Sequence, residues 1–263
     1  MQHRHLNRKQ YFYELSNTAR EFYMEFLPTY ITLTSETRIL EIGCGEGGNL
    51  LPFAEKGCRV TGMDICQVRI NEARTFFAQC HQRGTFICKD FLLADKPTND
   101  EERYDLILVH DVIEHIAPSC KREFFLHVKD FLRVRGIVFF GFPVWQNPFG
   151  GHQQISVGLT SKLPFVHLMP KPIYRTMLKL SGNTSDTINE LIDIRASRMT
   201  IEHFEQLTLE TGYTTCRRML WLIHPHYKQK FHINPRRLWA FFANIRFLRN
   251  FYTTSAWYLL RLS

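Results

Sequence analysis

The most informative stretch of this chain is Arg38-Ile-Leu-Glu41-Ile-Gly43-Cys-Gly45-Glu-Gly47-Gly48-Asn-Leu50. Its apolar run ends after Glu41 in a glycine-rich turn, and apolar residues at helical spacing follow, so the pattern predicts a strand, a tight loop and a helix. Glycines let a backbone approach a ligand with no side chain in the way, and the first turn of a helix presents free N–H groups. We therefore expect this stretch to bind a nucleotide-type cofactor.

A second strand end supports the same kind of ligand. Gly43, Gly45 and Gly48 fit the spacing G-x-G-x-x-G, which is compatible with NAD, FAD and S-adenosylmethionine alike. The next predicted strand, residues 58–64, ends in Asp64, about 20 residues beyond the glycine turn, where a carboxylate can accept both ribose hydroxyls of an adenosine cofactor. The two signals together indicate an adenosine-containing cofactor and leave its identity open.

Length and composition are those of a globular α/β protein. With 263 residues, the chain is long enough for a single domain with an insertion. It contains no uncharged apolar run of about 18 residues, which argues against a membrane span, and its first ten residues lack the apolar core of a signal peptide. Its seven cysteines form no C-x-x-C pair, which favours reduced cysteines in the cytoplasm over zinc or a disulfide framework.

Positive charge is concentrated at the C-terminal end of the chain. The formal net charge is +8, and residues 216–263 contain no Asp or Glu. A surface of one sign attracts an anionic partner such as a lipid headgroup, a nucleic acid or a phosphorylated substrate, although a solvated basic face needs no partner. The basic residues of this segment are Arg217, Arg218, Lys228, Lys230, Arg236, Arg237, Arg246, Arg249 and Arg261.

Predicted strands and helices alternate through the first half of the chain. Residues 1–36 predict a helical cap, and further strands are predicted at residues 85–88, 104–109 and 136–142, with helical patterns between them. This alternation is typical of a doubly wound α/β sheet with helices on both faces. Ligands in such folds bind outside the carboxyl ends of the strands, where the glycine turn and Asp64 are placed.

Two segments interrupt this alternation. Residues 143–198 follow directly after a strand and are rich in proline, glycine and polar residues, so we expect a lid or substrate wall over the cofactor site. Two apolar runs, residues 216–223 and 253–262, predict the last strands. Between them, residues 225–250 form a basic and aromatic insertion, in which the apolar spacing of residues 238–248 predicts one helix.

Taken together, these motifs resemble those of class I S-adenosylmethionine-dependent methyltransferases, in particular a broad group similar to quinone-type O-methyltransferases. The group has E-x-G-x-G after the first strand, here Glu41 to Gly45, and a D-x-x-E-H type of motif after the fourth, here Asp111 to His115. The resemblance covers residues 37–142 well. It implies a seven-stranded sheet in which the last strand, residues 253–262, is inserted antiparallel.

The resemblance also implies a cofactor site, with S-adenosylhomocysteine as the product left after transfer. Asp64 would hold the ribose hydroxyls, Ile65 would pack on the adenine, and Asp90 would accept a hydrogen bond from its exocyclic amine. Phe91, His110 and Asp111 would also belong to the cofactor-binding residues. The residues implied to line the methionine moiety are Glu41, Gly43, Cys44, Gly45 and Gly47.

Methyl transfer from a positively charged sulfur depends mainly on in-line positioning, and an acidic acceptor group needs only a base to take its proton. His115, in the D-x-x-E-H motif, and His152, beside two glycines of the lid, are candidate bases because imidazole titrates near neutral pH. The segment 147–153 around His152 also resembles a lid motif of bacterial members of the group. Either histidine could instead have a purely structural role.

A metal site is a further alternative, although we predict none. Some methyltransferases with a similar E-x-x-E-H motif bind a divalent cation through it with the help of another histidine. The candidate ligands here are Asp111, Glu114 and His115, and His152 could supply the additional imidazole. Oxygen and imidazole ligands suit magnesium, manganese or zinc.

The sequence thus predicts an enzyme that methylates an oxygen of a small, lipid-linked or glycosyl molecule in the cytoplasm, with possible peripheral contact to a membrane. The alternative is an RNA or DNA methyltransferase that holds phosphates on the basic segment. Against it, His110 to His115 stand where an Asn/Asp-Pro-Pro-aromatic motif would be expected, and Pro118-Ser-Cys120 is not a Pro-Cys nucleophile. A nicotinamide dehydrogenase and a catalytically silent cofactor-binding protein are less well supported, since Glu41 and the last two strands fit a dehydrogenase poorly.

Overall fold

A mixed β-sheet forms the centre of the molecule. The computed structural model describes residues 7–263, and in that range eight strands lie in the order β3-β2-β1-β4-β5-β8-β6-β7. The first five are parallel, and β8 runs antiparallel between β5 and β6. The strands are β1 (Arg38–Ile42), β2 (Arg59–Asp64), β3 (Thr85–Cys88), β4 (Tyr104–His110), β5 (Leu132–Phe142), β6 (Tyr213–Ile223), β7 (Arg236–Arg237) and β8 (Ser255–Leu262).

The predicted doubly wound sheet with an antiparallel C-terminal strand is confirmed, and the strand count differs by one. The additional strand is β7, whose two residues pair with Trp221 and Ile223 at the free edge of β6. Two residues are too few to produce a periodic pattern, which is why the sequence predicts seven strands. Residues 1–6, part of the predicted cap and of the segment without a signal core, lie outside the described residues.

Helices cover both faces of the sheet and fill the connections at its carboxyl edge. Single turns of 3₁₀ helix lie between them, including Gly48–Leu50 and Phe91–Leu93, and α1 continues into a π-helical turn, Ala19–Tyr23. The α-helices are α1 (Arg8–Thr18), α2 (Met24–Phe26), α3 (Leu51–Glu55), α4 (Gln67–Gln79), α5 (Lys121–Phe131), α6 (Lys171–Leu180), α7 (Ser185–Ser197), α8 (Ile201–Glu210), α9 (His226–Phe231), α10 (Ala240–Asn244) and α11 (Arg249–Tyr252).

Side-chain alternation along the central strands builds one core on each face of the sheet. Leu40 of β1 points to a core with Phe125 of α5 and Phe204 of α8. Its neighbour Ile39 points to the opposite core, which contains Phe12 of α1. All five side chains are at most 1% exposed, so replacing Leu40 by alanine should cost about 2–5 kcal/mol of stability.

The carboxyl edge of the sheet collects the loops that matter for function. The parallel strands end there, and because β8 is antiparallel to β5, pairing Ala256 with Phe142, β8 begins at that edge. β6 ends at the same edge, with Trp221 paired to Ser255. The glycine loop, residues 143–198 and residues 224–254 therefore all lie at one edge of the sheet.

The predicted single helix over residues 238–248 is wrong. The structure has two short helices, α10 and α11, separated by a break in which Phe247 takes a positive φ of +63°. The break lets Arg249 turn inward to Glu202 and Glu205 of α8, with contacts of 3.0 and 2.6 Å. Tertiary ion pairs thus override the helical spacing of the apolar residues. Among the described residues, no helix has the length and apolar character needed to traverse a bilayer.

Candidate functional site

The glycine loop after β1 adopts a conformation that other residues would strain to reach. Gly43, Gly45 and Gly47 all have positive φ, of +69°, +51° and +80°. A Cβ added to Gly43 would lie only 2.4 Å from Cγ2 of Val112, which follows β4. The glycine loop and the D-x-x-E-H turn are therefore packed directly against each other, as one site requires.

Asp64 fastens the glycine loop to the end of β2. Its Oδ2 accepts a hydrogen bond of 2.9 Å from the Gly45 N–H, and its Oδ1 accepts one of 2.8 Å from the Cys66 N–H. The Asp64 side chain is buried, and a carboxylate has acceptor capacity left after two such bonds. Asp64 is thus held in place and retains the ability to accept from hydroxyl groups.

Glu41 is buried next to the glycine loop with one oxygen unpaired. Its Oε1 accepts a hydrogen bond of 2.7 Å from Asn49 Nδ2, whereas Oε2 is buried without a hydrogen-bond partner. Burial raises the pKa of Glu41 to about 8, although the bond from Asn49 opposes the shift. A buried carboxyl oxygen without a partner is costly unless a ligand supplies a donor.

Cys44 contributes its backbone to the loop, since its side chain lies in the core. The side chain is 3% exposed, and a Cβ on the neighbouring Gly62 would meet its Sγ at 2.7 Å. Burial raises the pKa of this thiol. Phe91 behaves in the same way, because its ring packs among Phe124 and Phe131 with centroids 5.5 and 5.0 Å away. Both predicted site residues could reach a cofactor only through main-chain atoms.

Ile65 and Asp90 lie exposed just beyond the ends of β2 and β3. Ile65 is 75% exposed, which is unusual for its side chain and leaves a flat apolar surface beside Asp64. Asp90 is exposed as well, and its Oδ1 accepts a hydrogen bond of 3.0 Å from the Leu92 N–H. The positions suit an apolar contact and a polar contact to one ligand.

His110 and Asp111 close the end of β4. The His110 Nδ1 is 2.5 Å from the hydroxyl of Tyr23, its Nε2 is buried without a hydrogen-bond partner, and that nitrogen lies 3.7 Å from Asp111 Oδ1. Asp111 has a positive φ of +54°, which is uncommon for a residue other than glycine. This backbone conformation turns the chain sharply after β4 and leaves the Asp111 carboxylate exposed.

Glu114, His115 and His152 form a cluster beside this turn. One ligating atom of each lies within 4.8 Å of the others, and the two imidazole rings are 5.1 Å apart in an edge-to-face arrangement. Glu114 is 4% exposed and neither of its carboxyl oxygens has a hydrogen-bond partner. The structure therefore joins the D-x-x-E-H motif to residues 143–198 through the two predicted histidines.

The surroundings of this cluster oppose charge on its side chains, although His115 itself is exposed to solvent. Desolvation lowers the pKa of His115 below its ordinary value, and it lowers the pKa of His152 to about 4, with a further contribution from His115. It raises the pKa of Glu114 well above the usual range and lowers that of the buried Lys121 amine to about 8. Both imidazoles are uncharged at neutral pH, and His115 is the stronger candidate base, because a pKa of about 4 disfavours proton uptake by His152.

The candidate metal ligands are only partly brought together. Glu114, His115 and His152 could each offer one atom, but Asp111 is not part of this group. Instead, the Asp111 charge raises the pKa of both histidines, against the effect of burial. The residues present suit either a small cation or a proton-transfer cluster.

The sequence did not predict a group of aromatic residues and histidines that lies near Asp111, apart from the histidine cluster. Burial, and secondly the Asp111 charge, raise the pKa of Tyr11 in α1 and of Tyr227 in α9. The ring of His224 lies 5.8 Å from that of His110. The histidines and aromatic residue of His224-Pro-His-Tyr227, directly after β6, were a usable signal, whereas Tyr11 belongs to a helix with no distinctive pattern.

Helix α1 holds the glycine loop from outside. Arg8 forms a hydrogen-bonded ion pair of 2.5 Å with the buried Glu46. A Cβ on Gly48 would lie 2.5 Å from the Phe12 carbonyl oxygen, so the helix backbone touches the loop. Helix α1 therefore supports the glycine loop directly.

A surface cavity of about 630 Å³ opens beside His115. It is lined on one side by α7, which contributes Asp186, Glu190 and Asp193. This cavity gives the histidine cluster a route to solvent between the D-x-x-E-H turn and residues 143–198.

Comparisons with known proteins agree with this geometry. Residues 39–136 match the family described as "Methyltransferase domain". Among curated proteins, the ubiquinone biosynthesis O-methyltransferase of Bartonella tribocorum is 36% identical over 80 residues, or 30% of this chain and 31% of that protein. The protein of the same name from Coxiella burnetii is 28% identical over 93 residues, 35% of this chain and 38% of its own length. The match thus spans about a third of these relatives.

Solved structures extend the likeness to the whole fold. The magnesium protoporphyrin IX methyltransferase of Synechocystis PCC 6803 with bound SAH superposes with a TM-score of 0.58, at 14% identity, over 95% of this chain and 84% of that one. An S-adenosylmethionine-dependent methyltransferase of Clostridium acetobutylicum gives 0.56, at 12% identity, over 95% and 91%. The predicted fold is confirmed, and residues 39–136 carry the match to a methyltransferase family.

Proposed function

We propose that this chain, a class I S-adenosylmethionine-dependent methyltransferase similar to the quinone O-methyltransferases, transfers the cofactor's methyl group to an oxygen of a small acceptor. The observation that carries the proposal is the pair of neutral histidines, His115 and His152, in a turn that packs on the glycine loop through Val112. An acceptor oxygen placed between these histidines and the glycine loop would lie near both a base and the cofactor.

The residues at the carboxyl edge fit S-adenosylmethionine. The buried Oε2 of Glu41 has no hydrogen-bond partner, and the cofactor's ammonium group would supply a donor for it. Asp64 retains acceptor capacity for ribose hydroxyls, exposed Ile65 offers an apolar surface for adenine, and Asp90 accepts from an amine. The glycine loop leaves room for the main chain to approach, since a Cβ is absent at Gly43 and Gly45.

The bound cofactor supplies an electrophilic methyl group on a positively charged sulfur. The chain's own residues align the acceptor oxygen with that methyl group and exclude water from it. An imidazole nitrogen of His115 or His152 takes the acceptor's hydroxyl proton, because both rings are uncharged at neutral pH and have a free site for it. The proton then leaves toward solvent through the cavity beside His115.

A divalent cation bound by Glu114, His115 and His152 is the second role that this cluster could serve. The three ligating atoms lie within 4.8 Å of one another and would have to move closer together to bind one ion. The lowered pKa of both histidines supports either role, since a metal ligand and a general base must both be neutral imidazole.

For the acceptor, we favour a lipid-linked or glycosyl molecule bound under residues 143–198 as a lid. The exposed apolar side chains of this segment support that choice, for example Leu159 at 65% and Phe165 at 40%. Methylation of RNA or DNA is the alternative, for which the basic C-terminal segment would hold phosphates.

The proposal is tested with labelled S-adenosylmethionine and cell extract separated into lipid, small polar and nucleic-acid fractions. We expect label in a lipid or small-molecule fraction, in a bond stable to mild alkali, as a methyl ether is and an ester is not. His115→Asn/His152→Asn should bind the cofactor normally and transfer little label. Label in the nucleic-acid fraction, or unchanged transfer by the double variant, would overturn the proposal.

A further inference from the structure

An apolar and basic surface lies at the carboxyl edge of the sheet, beyond the lid. Its outermost side chains are Trp239 and Phe241, each 73% exposed, and Phe247, 65% exposed. Large aromatic side chains are seldom so exposed unless a partner covers them. All three belong to the insertion between β6 and β8.

Ring contacts make this surface continuous with the lid. Phe242 lies between Trp239 and Tyr252, with centroid distances of 6.4 and 5.5 Å. Next to Tyr252 in α11, Phe251 contacts Phe165 of the lid at 6.5 Å. Phe241 also contacts Phe242, at 5.3 Å, and Phe247 is exposed in the same insertion. We call this set the aromatic face: Phe165, Trp239, Phe241, Phe247, Phe251 and Tyr252.

The charges around the aromatic face are of one sign. Arg236, Arg237 and Arg246 are exposed in the same insertion, and the Arg246 guanidinium lies over the Phe247 ring at 5.6 Å. The sequence has no Asp or Glu between Asp130 and Asp186, or after Glu210. The insertion and the part of the lid before Asp186 thus expose cations and apolar rings without a single acid.

The acids that contact this insertion from α8 are already engaged. Glu202 accepts hydrogen bonds from Arg249 and Asn250 at 3.0 and 2.6 Å. Glu205 bonds Arg249 and Arg218. Arg249 and Asn250 are almost completely buried, so this network anchors the insertion from inside and leaves the outward cations uncompensated.

From this juxtaposition we propose that the aromatic face docks onto an anionic phospholipid bilayer. Aromatic side chains partition to the interface between headgroups and acyl chains, and nearby arginines gain from the negative surface potential. A second copy of the chain fits worse, because a symmetric contact would oppose cations with cations. A nucleic acid fits worse, because the outermost groups are hydrocarbon rings rather than hydrogen-bond donors.

Docking in this orientation turns the mouth of the site toward the membrane. The aromatic face, the lid and the glycine loop share the carboxyl edge of the sheet, so a lipid-linked acceptor could reach His152 without crossing bulk water. This route for the acceptor rests on the proposed function, whereas binding to vesicles does not.

The test uses the full chain and two kinds of vesicle, phosphatidylcholine alone and phosphatidylcholine mixed with phosphatidylglycerol. We expect co-sedimentation with the mixed vesicles, weakened by high salt. Trp239→Ala/Phe241→Ala/Phe247→Ala should bind at least tenfold more weakly. Arg236→Gln and Arg246→Gln should each lose about fivefold. The matched control is Val134→Ala, since Val134 is 76% exposed on β5 away from the carboxyl edge and should not affect binding.

Tryptophan fluorescence gives an independent readout of the docked surface. Of the four tryptophans, Trp145, Trp221 and Trp257 are at most 6% exposed, so Trp239 alone should respond to a bilayer. Mixed vesicles should shift its emission to the blue and protect it from acrylamide, and Trp239→Phe should bind without that shift. No binding to mixed vesicles, binding that ignores lipid charge, or an unshifted Trp239 would overturn the proposal. A concentration-dependent dimer through this face, or salt-sensitive binding to oligonucleotides without vesicle binding, would do so as well.

Discussion

The two sides of the carboxyl edge have opposite character. On the side of β1 and β2, the glycine loop is clamped by Asp64 and by α1, and Glu41 is buried with one oxygen reserved for a donor. On the side of the lid and the C-terminal insertion, aromatic rings and cations face outward, and the helices of the insertion are short. The first side is preorganised for one small ligand, while the second offers a broad surface.

This difference shows how one fold can keep a cofactor and change its acceptor. Side chains added to the glycine loop would meet packed apolar side chains or the backbone of α1, so we expect few substitutions to be tolerated there. The lid and the insertion are connections at a sheet edge, where length and composition can vary without disturbing the sheet. The histidine cluster lies where the two sides meet, with His115 from one and His152 from the other.

The largest expected effect is a loss of turnover when the histidine cluster, where the two sides meet, is changed. His115→Asn/His152→Asn should reduce turnover by about 10²–10⁴-fold while leaving the affinity for S-adenosylmethionine unchanged. His81→Asn is the matched control, since His81 is an exposed histidine that also has a positive φ, of +54°, away from the cluster. Steady-state kinetics and titration calorimetry measure the two quantities. Equal losses of turnover and affinity would place the histidines on the cofactor side.

The two sides should also respond to pH with opposite sign. Burial raises the pKa of Glu41 from 4.5 to about 8, so without cofactor its stabilising contribution is complete below pH 4.5 and is lost as pH rises through about 8. Burial lowers the pKa of His152 and His167 from 6.5 to about 4, so their contribution is complete above pH 6.5 and is lost as pH falls through about 4. The His152 contribution is at most about 3 kcal/mol.

Urea midpoints measured from pH 4 to pH 9 check these signs. Glu41→Gln should remove the alkaline loss and leave the acidic one, whereas His152→Asn should reduce only the acidic loss. If Glu41→Gln lost as much stability at high pH as the wild type, ionisation of the Glu41 carboxyl group would not be the cause of that loss.

Much of the cofactor side could be predicted from the sequence, because each of its residues serves a local rule. Strand, glycine turn and helix follow from spacing, and Asp64 follows from the end of the next strand. The acceptor side could not be derived in this way. The break at Phe247 depends on ion pairs between Arg249 and α8. On the cofactor side, Tyr11 was missed for the same reason, because it joins the site only through the packing of α1 on the glycine loop. Tertiary contacts between distant segments leave no periodic pattern in the sequence.

A smaller effect is expected from alanine at the glycines. Gly43→Ala should destabilise the protein by about 2 kcal/mol or more and weaken cofactor binding, because the new Cβ meets Val112 in a backbone conformation with positive φ. Gly182→Ala is the matched control on the acceptor side, since Gly182 has a φ of +82° and nothing within 4 Å of the added Cβ. It carries the same backbone strain without the clash. Equal losses of affinity in both variants would mean that the glycine loop is not specially fitted to the cofactor.

The smallest expected effect concerns metal ions. If Glu114, His115 and His152 act in proton transfer, dialysis against a chelator should leave turnover unchanged within about twofold. Loss of turnover that zinc or manganese restores, together with binding of one equivalent of metal by the wild type and none by Glu114→Gln, would instead assign the cluster to a cation.

The measurement that tests the proposed function most directly is the transfer of a labelled methyl group from S-adenosylmethionine by the wild type, His81→Asn and His115→Asn/His152→Asn side by side. We predict an alkali-stable label in a lipid or small-molecule fraction for the first two proteins and almost none for the double variant, with equal cofactor affinity in all three. A wild type that binds the cofactor and labels no fraction, or that labels nucleic acid, would contradict the proposed O-methylation of a small acceptor.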